Sequence, residues 1–236
     1  MGYPSINKKY QQTKYNVTKC SDRRKGHKVK FIVIHYTGTK ASAKNNCIYF
    51  RGGNRNASAD YFIDTDGTIY KFNANCSGYY SWHCGDGKGK YGITNSNSIG
   101  IEVVSAGEEF TKEQITSLKK LVNAIQADYG VKDKNVVRHH DASRKLCPAP
   151  YCGSDKKDNK WKALWKTITS NETDDRPYKV KITCDSLNIL TGPGTSYSVI
   201  GSTAKNVVYT IVETENGWGR LKSGAGWVNL KYTKKV

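Results

Sequence analysis

The sequence predicts two folds in series: a mixed α/β sheet domain flanked by helices, and after it a small all-β barrel. Three observations predict this. The runs FIVIH at 31–35 and SIGIEVV at 98–104 are almost continuously apolar, as in strands buried on both faces of a mixed sheet. Ile115, Leu118, Leu121, Val122 and Ile125 then recur at helical spacing. Beyond residue 177 that spacing stops, and short apolar runs alternate with turn clusters such as Gly192-Pro193-Gly194 and Asn216-Gly217.

In chain order, residues 1–28 are polar and aperiodic and form an arm on the first domain. A strand at 29–35 ends in His35. A short helix follows at 42–50, closed by the turn Arg51-Gly52-Gly53. Residues 60–64 and 68–72 flank Asp66-Gly67, a strong hairpin signal. The stretch 77–91 is rich in glycine and aromatic residues and has no period, which suits a groove wall. A strand at 98–104 carries one carboxylate, Glu102, in apolar surroundings, a costly place for an idle charge. Thr111 caps the next helix with Gln114 completing a capping box, and Gly130 stops it. A short strand at 136–137 and a last helix at 158–169, burying Trp161, Leu164, Trp165 and Ile168, complete a catalytic domain over 1–170. Residues 171–177 are the linker, and 178–236 the second domain.

The net charge is +18, with +13 up to Pro177 and +5 beyond it, so the bias belongs to the whole chain. Such a surface favours a polyanionic partner: nucleic acid, an anionic membrane, or a wall bearing acidic polymers. No basic stripe or nucleic-acid motif supports the first. The opening MGYPSINKKYQQTKY lacks an apolar stretch of signal-peptide length, and no run approaches the ~20 apolar residues of a spanning helix. The expectation is a protein made in the cytosol without an export signal. Seven cysteines, odd in number and irregularly spaced, are expected as reduced thiols. Cys76 and Cys84 are expected as semi-buried thiols, a bridge or second metal pair being the alternative.

Chemistry concentrates in RHHDASRKLCP, residues 138–148, which holds two of five histidines together with a carboxylate, a lysine and a cysteine. If His35, His139 and Cys147 bind one zinc, three protein ligands leave a fourth position for water. Spacing alone leaves His139 and His140 both open, because adjacent side chains of an extended segment point to opposite faces. Asp141 is a further potential ligand or a turn carboxylate. Glu102 suits a general base whose pKa is raised toward neutrality. Lys145, two residues before Cys147 in an extended run, faces the same side and suits an oxyanion stabiliser. The competing assignments are a closed structural zinc site, or ordinary thiols with a solvated lysine.

Five pieces in order, IVIHYTG (32–38), SADYFIDTDGTIY (58–70), SWHCG (81–85), NSIGIEVV (97–104) and RHHDASRKLCP, resemble the type 2 zinc N-acetylmuramoyl-L-alanine amidases, which share their fold with peptidoglycan recognition proteins. The resemblance spans roughly residues 25–170. It implies His35, His139 and Cys147 as zinc ligands, preferring His139 to His140, with Glu102 and Lys145 catalytic and Trp82 and His83 lining the substrate groove. Ala59 stands where some relatives carry a catalytic tyrosine, and Asp60 where histidine is common. LNILTGPGTSYSVIG (187–201), ENGWGRL (215–221) and GWVNL (226–230) resemble a bacterial SH3-like wall-binding module. Of Tyr197, Trp218, Trp227 and Tyr232, two are expected in its core. Together these imply a zinc hydrolase of bacterial peptidoglycan, with a Gram-positive wall as partner, cutting between muramic acid and L-alanine. The expected setting is a phage or prophage endolysin held in the host cytoplasm until lysis. A host autolysin and a non-catalytic recognition protein are the alternatives.

Overall fold

The computed structural model describes residues 4–15, 20–170, 177–215 and 217–236. The chain divides into two compact units, Met1–Ser170 and Asn171–Val236. Apart from Pro177, the expected linker at 171–177 lies outside the described residues, as does Asn216 of the expected turn.

The first unit runs β1 (Ile6–Asn7), β2 (Ser21–Arg23), β3 (Phe31–Tyr36), α1 (Ala43–Arg51), β4 (Tyr61–Ile63), β5 (Ile69–Lys71), β6 (Tyr79–Ser81), β7 (Ser98–Val103), α2 (Lys112–Tyr129), β8 (Val136–Arg138), α3 (His139–Ser143) and α4 (Asp155–Thr169). Its main sheet has the order β1-β5-β4-β7-β3-β8, in which β4 and β5 pair antiparallel and the other neighbours among the described residues are parallel. The two-residue side-chain period divides β3 and β7 cleanly. Ile32, Ile34, Ile99, Ile101 and Val103 enter the core with Leu118, Leu121, Ile125, Trp161 and Leu164 of α2 and α4. Val33 packs on the other face with Cys84, Ile93 and Ala142, and this is the face to which His35 and Glu102 belong.

The capping box forms as expected: Gln114 N–H donates to Thr111 Oγ1 at 3.1 Å, and Thr111 N–H to Gln114 Oε1 at 2.9 Å. Gln114 Nε2 also donates to the Val104 carbonyl at 2.7 Å, fastening the helix start to the end of β7. Gly130 closes α2 in the left-handed region at φ +67. The last helix begins three residues earlier than expected, because Ser154 caps it.

The stretch 77–91 is not wholly irregular. Tyr79–Ser81 pairs antiparallel with Ser21–Arg23 of the arm, and Gly85–Gly87 is a short 3-10 turn. Three-residue strands carry too little alternation to be read from sequence. Arg24, buried beside this pairing, donates to the carbonyls of Cys76, Ser96 and Ser98 at 2.6, 2.6 and 2.8 Å, so the arm ties the start of the stretch to the start of β7. Asp60 is fully buried and accepts from Asn73 Nδ2, Ser81 Oγ and the Gly100 N–H. It thus ties the residue before β4 to β7, to β6 of the small sheet and to the loop after β5.

The second unit contains β9 (Tyr178–Ile182), β10 (Ser186–Leu190), β11 (Val199–Ala204), β12 (Val208–Glu215), β13 (Trp218–Leu221), β14 (Trp227–Asn229) and β15 (Thr233–Lys235). They form one antiparallel sheet in the order β11-β10-β14-β13-β12-β9-β15, around Val180, Ile182, Leu187, Ile189, Ile211, Leu221 and Val228. Trp218 and Trp227 are buried with Leu190, whereas Tyr197 and Tyr232 are exposed.

Candidate metal centre and active site

His35 is the next-to-last residue of β3, one short of the strand end at Tyr36, and Cys147 follows α3, yet Cys147 Sγ lies 3.7 Å from His35 Nδ1. His139 begins α3, and its ring centroid is 4.6 Å from that of His35. One donor atom from each of His35, His139 and Cys147 falls within 4.8 Å of the others, and all three residues are buried. A tetrahedral zinc with nitrogen at ~2.0 Å and sulfur at ~2.3 Å holds those donors roughly 3.5 Å apart, so the group fits the spacing and the donor types. Burial holds both imidazoles below their ordinary pKa, with neighbouring positive charge adding to the effect at His35. They are therefore neutral donors at pH 7. Burial, with the Glu102 carboxylate, pushes the Cys147 thiol far up, so deprotonating it requires a cation.

The choice between the adjacent histidines is made by local geometry. These residues are helical rather than extended, and the His140 ring turns to the Lys145 carbonyl, with Nδ1 3.2 Å away. Asp141 is occupied by Arg138, accepting from its N–H and its Nε and Nη2. Arg138 in turn reaches the Tyr151 carbonyl and Asp158, tying the start of α3 to α4.

Glu102 is the Cα partner of His35 across the parallel β3–β7 pair, and its Oε1 lies 3.9 Å from His35 Nδ1. Because His35 is neutral, this is not an ion pair. Glu102 Oε2 is buried without a hydrogen-bond partner among the described residues, and burial raises the carboxyl to about 8, opposed by the charge of Lys145. An unsatisfied carboxylate oxygen beside a ligand cluster is the arrangement a proton carrier needs.

Lys145 is exposed, and its charge acts on His35, His139, Glu102 and Cys147 alike. The extended run expected to align it with Cys147 is instead a tight turn, in which Cys147 N–H donates to the Lys145 carbonyl at 2.8 Å. The turn arises because α3 ends in a left-handed residue, Arg144, at φ +69.

Trp82 and His83 part company. Trp82 is half-buried and lines an open surface pocket with Tyr80, Lys88, Asn95 and Ser96. His83, expected in the groove wall, is buried: its Nδ1 lies 3.0 Å from His35 Nε2 and its Nε2 3.1 Å from Ser98 Oγ. Adjacent positions leaving a strand point to opposite sides, and the inward one meets β3 and β7.

Two partners of the cluster were not anticipated. Asp86 Oδ1 lies 2.7 Å from His139 Nε2, and Asp86 Oδ2 accepts from Ser143 Oγ. Burial acts to raise the Asp86 carboxyl, but His139, with the Lys145 charge and the Ser143 hydroxyl, outweighs it and lowers the pKa. A Cβ on Gly87 would come 2.1 Å from the Ala142 carbonyl oxygen, so glycine is what lets this turn approach α3. The other, Ser98, supports the cluster at one remove, through His83. In sequence, Asp86 looks like any turn carboxylate and Ser98 like a strand's first residue.

Comparison with known proteins identifies the family. The N-acetylmuramoyl-L-alanine amidase family model matches residues 25–150, and the bacterial SH3 domain model residues 185–234. The chain is 28% identical over 154 residues to the N-acetylmuramoyl-L-alanine amidase CwlL of Bacillus licheniformis, covering 61% of this chain and 43% of that protein. A probable N-acetylmuramoyl-L-alanine amidase of the same species is 32% identical over 134 residues, covering 52% and 37%. The chain thus spans less than half the length of these curated relatives. Among solved structures, a mutant endolysin from Bacillus subtilis superposes with a TM-score of 0.56 at 25% identity, over 70% of this chain and 99% of that one. The PlyG catalytic domain gives 0.57 at 25%, over 72% and 97%. With more than half of its length matched by the family model, the chain belongs to the N-acetylmuramoyl-L-alanine amidase family and carries a bacterial SH3 domain after the amidase domain.

Proposed function

We propose that this protein is a zinc-dependent peptidoglycan hydrolase, an endolysin that cleaves the amide between the lactyl group of N-acetylmuramic acid and L-alanine of the stem peptide. The observation that carries this is the placement of Glu102 against the His35–His139–Cys147 cluster, with one carboxylate oxygen unsatisfied. His35, His139 and Cys147 would hold the zinc, which would supply Lewis acidity toward the water and the amide carbonyl. Glu102 takes the proton of the attacking water and delivers it to the leaving amide nitrogen. Burial raises this carboxyl in the metal-free site, and the charge of a zinc ion beside it would lower it again, so that it can both take and return the proton. The Lys145 ammonium, exposed at the mouth of the site, balances the negative charge that develops on the carbonyl oxygen. Trp82 offers an aromatic wall for the substrate.

The C-terminal domain binds the wall in this reading, which its match to bacterial SH3 domains supports. The endolysin assignment draws on the likeness to an endolysin from Bacillus subtilis. It places the protein in the host cytoplasm until the membrane is permeabilised. Release into the medium of intact producing cells would instead indicate an exported autolysin.

Product analysis on purified Gram-positive peptidoglycan tests the chemistry. New L-alanine amino termini without new reducing sugars are expected, abolished by chelation and restored by zinc. Reducing ends would mean a glycosidase, and other amino termini an endopeptidase.

A further inference from the structure

We propose that His83 is a positioning residue: backed by Ser98 and the Thr94 carbonyl, it fixes His35 in the tautomer whose Nδ1 lone pair faces Cys147. This rests on the zinc-site reading above and deepens it. The proton assignment starts at Thr94, whose carbonyl oxygen can only accept. Ser98 Oγ lies 2.5 Å from that oxygen, so the hydroxyl proton is committed there. Ser98 Oγ then has only lone pairs left for His83 Nε2 at 3.1 Å, and that nitrogen must carry the hydrogen. The His83 ring is buried and no carboxylate is hydrogen-bonded to it among the described residues, so it holds one proton and Nδ1 is an acceptor. His35 Nε2, 3.0 Å from that Nδ1, is consequently the donor. The lone pair of His35 is left on Nδ1, the atom 3.7 Å from Cys147 Sγ.

His139 reaches the same outcome by another device, since its Nε2 faces the Asp86 carboxylate. The neutral relay at His35 adds no second negative charge beside Glu102, which already stands 3.9 Å from this ring. One strand face builds the whole arrangement. Ser98, Gly100 and Glu102 alternate along β7, and a Cβ on Gly100 would come 2.5 Å from His83 Cγ. Gly100 therefore makes the room for the ring that Ser98 orients.

The test uses the full chain with 15N-labelled histidine. In the metal-free wild type, His35 is expected protonated on Nε2; protonation on Nδ1 would overturn the proposal, whatever the protein's affinity for zinc. His83→Phe keeps a ring but no acceptor, whereas His83→Asn keeps an acceptor near the Nδ1 position. His83→Phe is expected to mix the His35 tautomers and weaken zinc binding, read by competition with a chromophoric chelator, by roughly 10–100-fold. His83→Asn should restore both, and Ser98→Ala should fall between. If His83→Phe keeps the wild-type tautomer and zinc affinity, His83 only fills space. If wild type fails to bind zinc stoichiometrically, the zinc-site reading fails instead, and the tautomer of His35 still decides the role of His83.

Discussion

Glu102 and His35 are direct neighbours across two parallel strands, with carboxylate and imidazole 3.9 Å apart and both side chains on the face away from the main core. Parallel register makes this placement a property of the sheet and not of a mobile loop. The pair therefore sets the Glu102 carboxylate beside the His35–His139–Cys147 donors without a conformational step.

Glu102→Gln should leave zinc content unchanged and lower amide hydrolysis by about 10²–10⁴. Zinc content by atomic emission and turnover on purified walls check it. Full activity in this variant would remove Glu102 from the mechanism.

The same substitution changes stability with pH. The folded-state carboxyl titrates at about 8, above the usual 4.5, so the fold favours its neutral form. As pH rises from 4.5 towards 8 the unfolded chain ionises while the folded one does not, and folding weakens at ~1.36 kcal/mol per unit of difference. Metal-free Glu102→Gln should therefore melt higher than wild type at pH 8 and no higher on this account at pH 4. An equal shift at both pH values contradicts the assignment.

Zinc binding to the metal-free protein at pH 7 should release protons from the Cys147 thiol, which burial keeps protonated, and from Glu102. Calorimetry in buffers of different ionisation enthalpy counts them. Glu102→Gln should lower the count by up to one, and Cys147→Ser should remove tight binding altogether.

Gly100→Ala forces a Cβ against the His83 ring, whose nitrogens are both engaged. A loss of about 1–3 kcal/mol in stability is expected, with weaker zinc retention. Gly201→Ala, where the added carbon meets nothing within 4 Å, is the control and should stay within about 0.5 kcal/mol. Denaturant melts of both variants decide it.

Ending the chain at Ser170 should weaken sedimentation with walls much more than hydrolysis of a soluble muramoyl peptide. Equal losses in the two assays would assign the C-terminal domain a part in the chemistry.

Much of the first domain was legible because local rules suffice there. The 2.0 and 3.6 periods mark β3, β7 and α2, and Thr111, Gln114 and Gly130 delimit the helix by their own hydrogen bonds and backbone preferences. The residues of the cluster were identifiable because histidine and cysteine are scarce in this chain and dense in one stretch. The short pairing of the arm with β6 is not legible in the sequence, since three residues have no period to read.

By itself, then, the sequence determined the two-domain order, the main elements and the residue types able to hold zinc and move a proton. Only the tertiary structure decided which atoms face one another. It turned His140 away through the first turn of α3, gave Asp141 to Arg138, and moved His83 from an expected groove wall to the back of His35. It also brought Asp86 to His139 and Ser98 to His83. The physical reason is that a hydrogen bond or ligand direction depends on positions a few tenths of an ångström apart, between residues as distant in sequence as His35 and Cys147, and no local propensity encodes that.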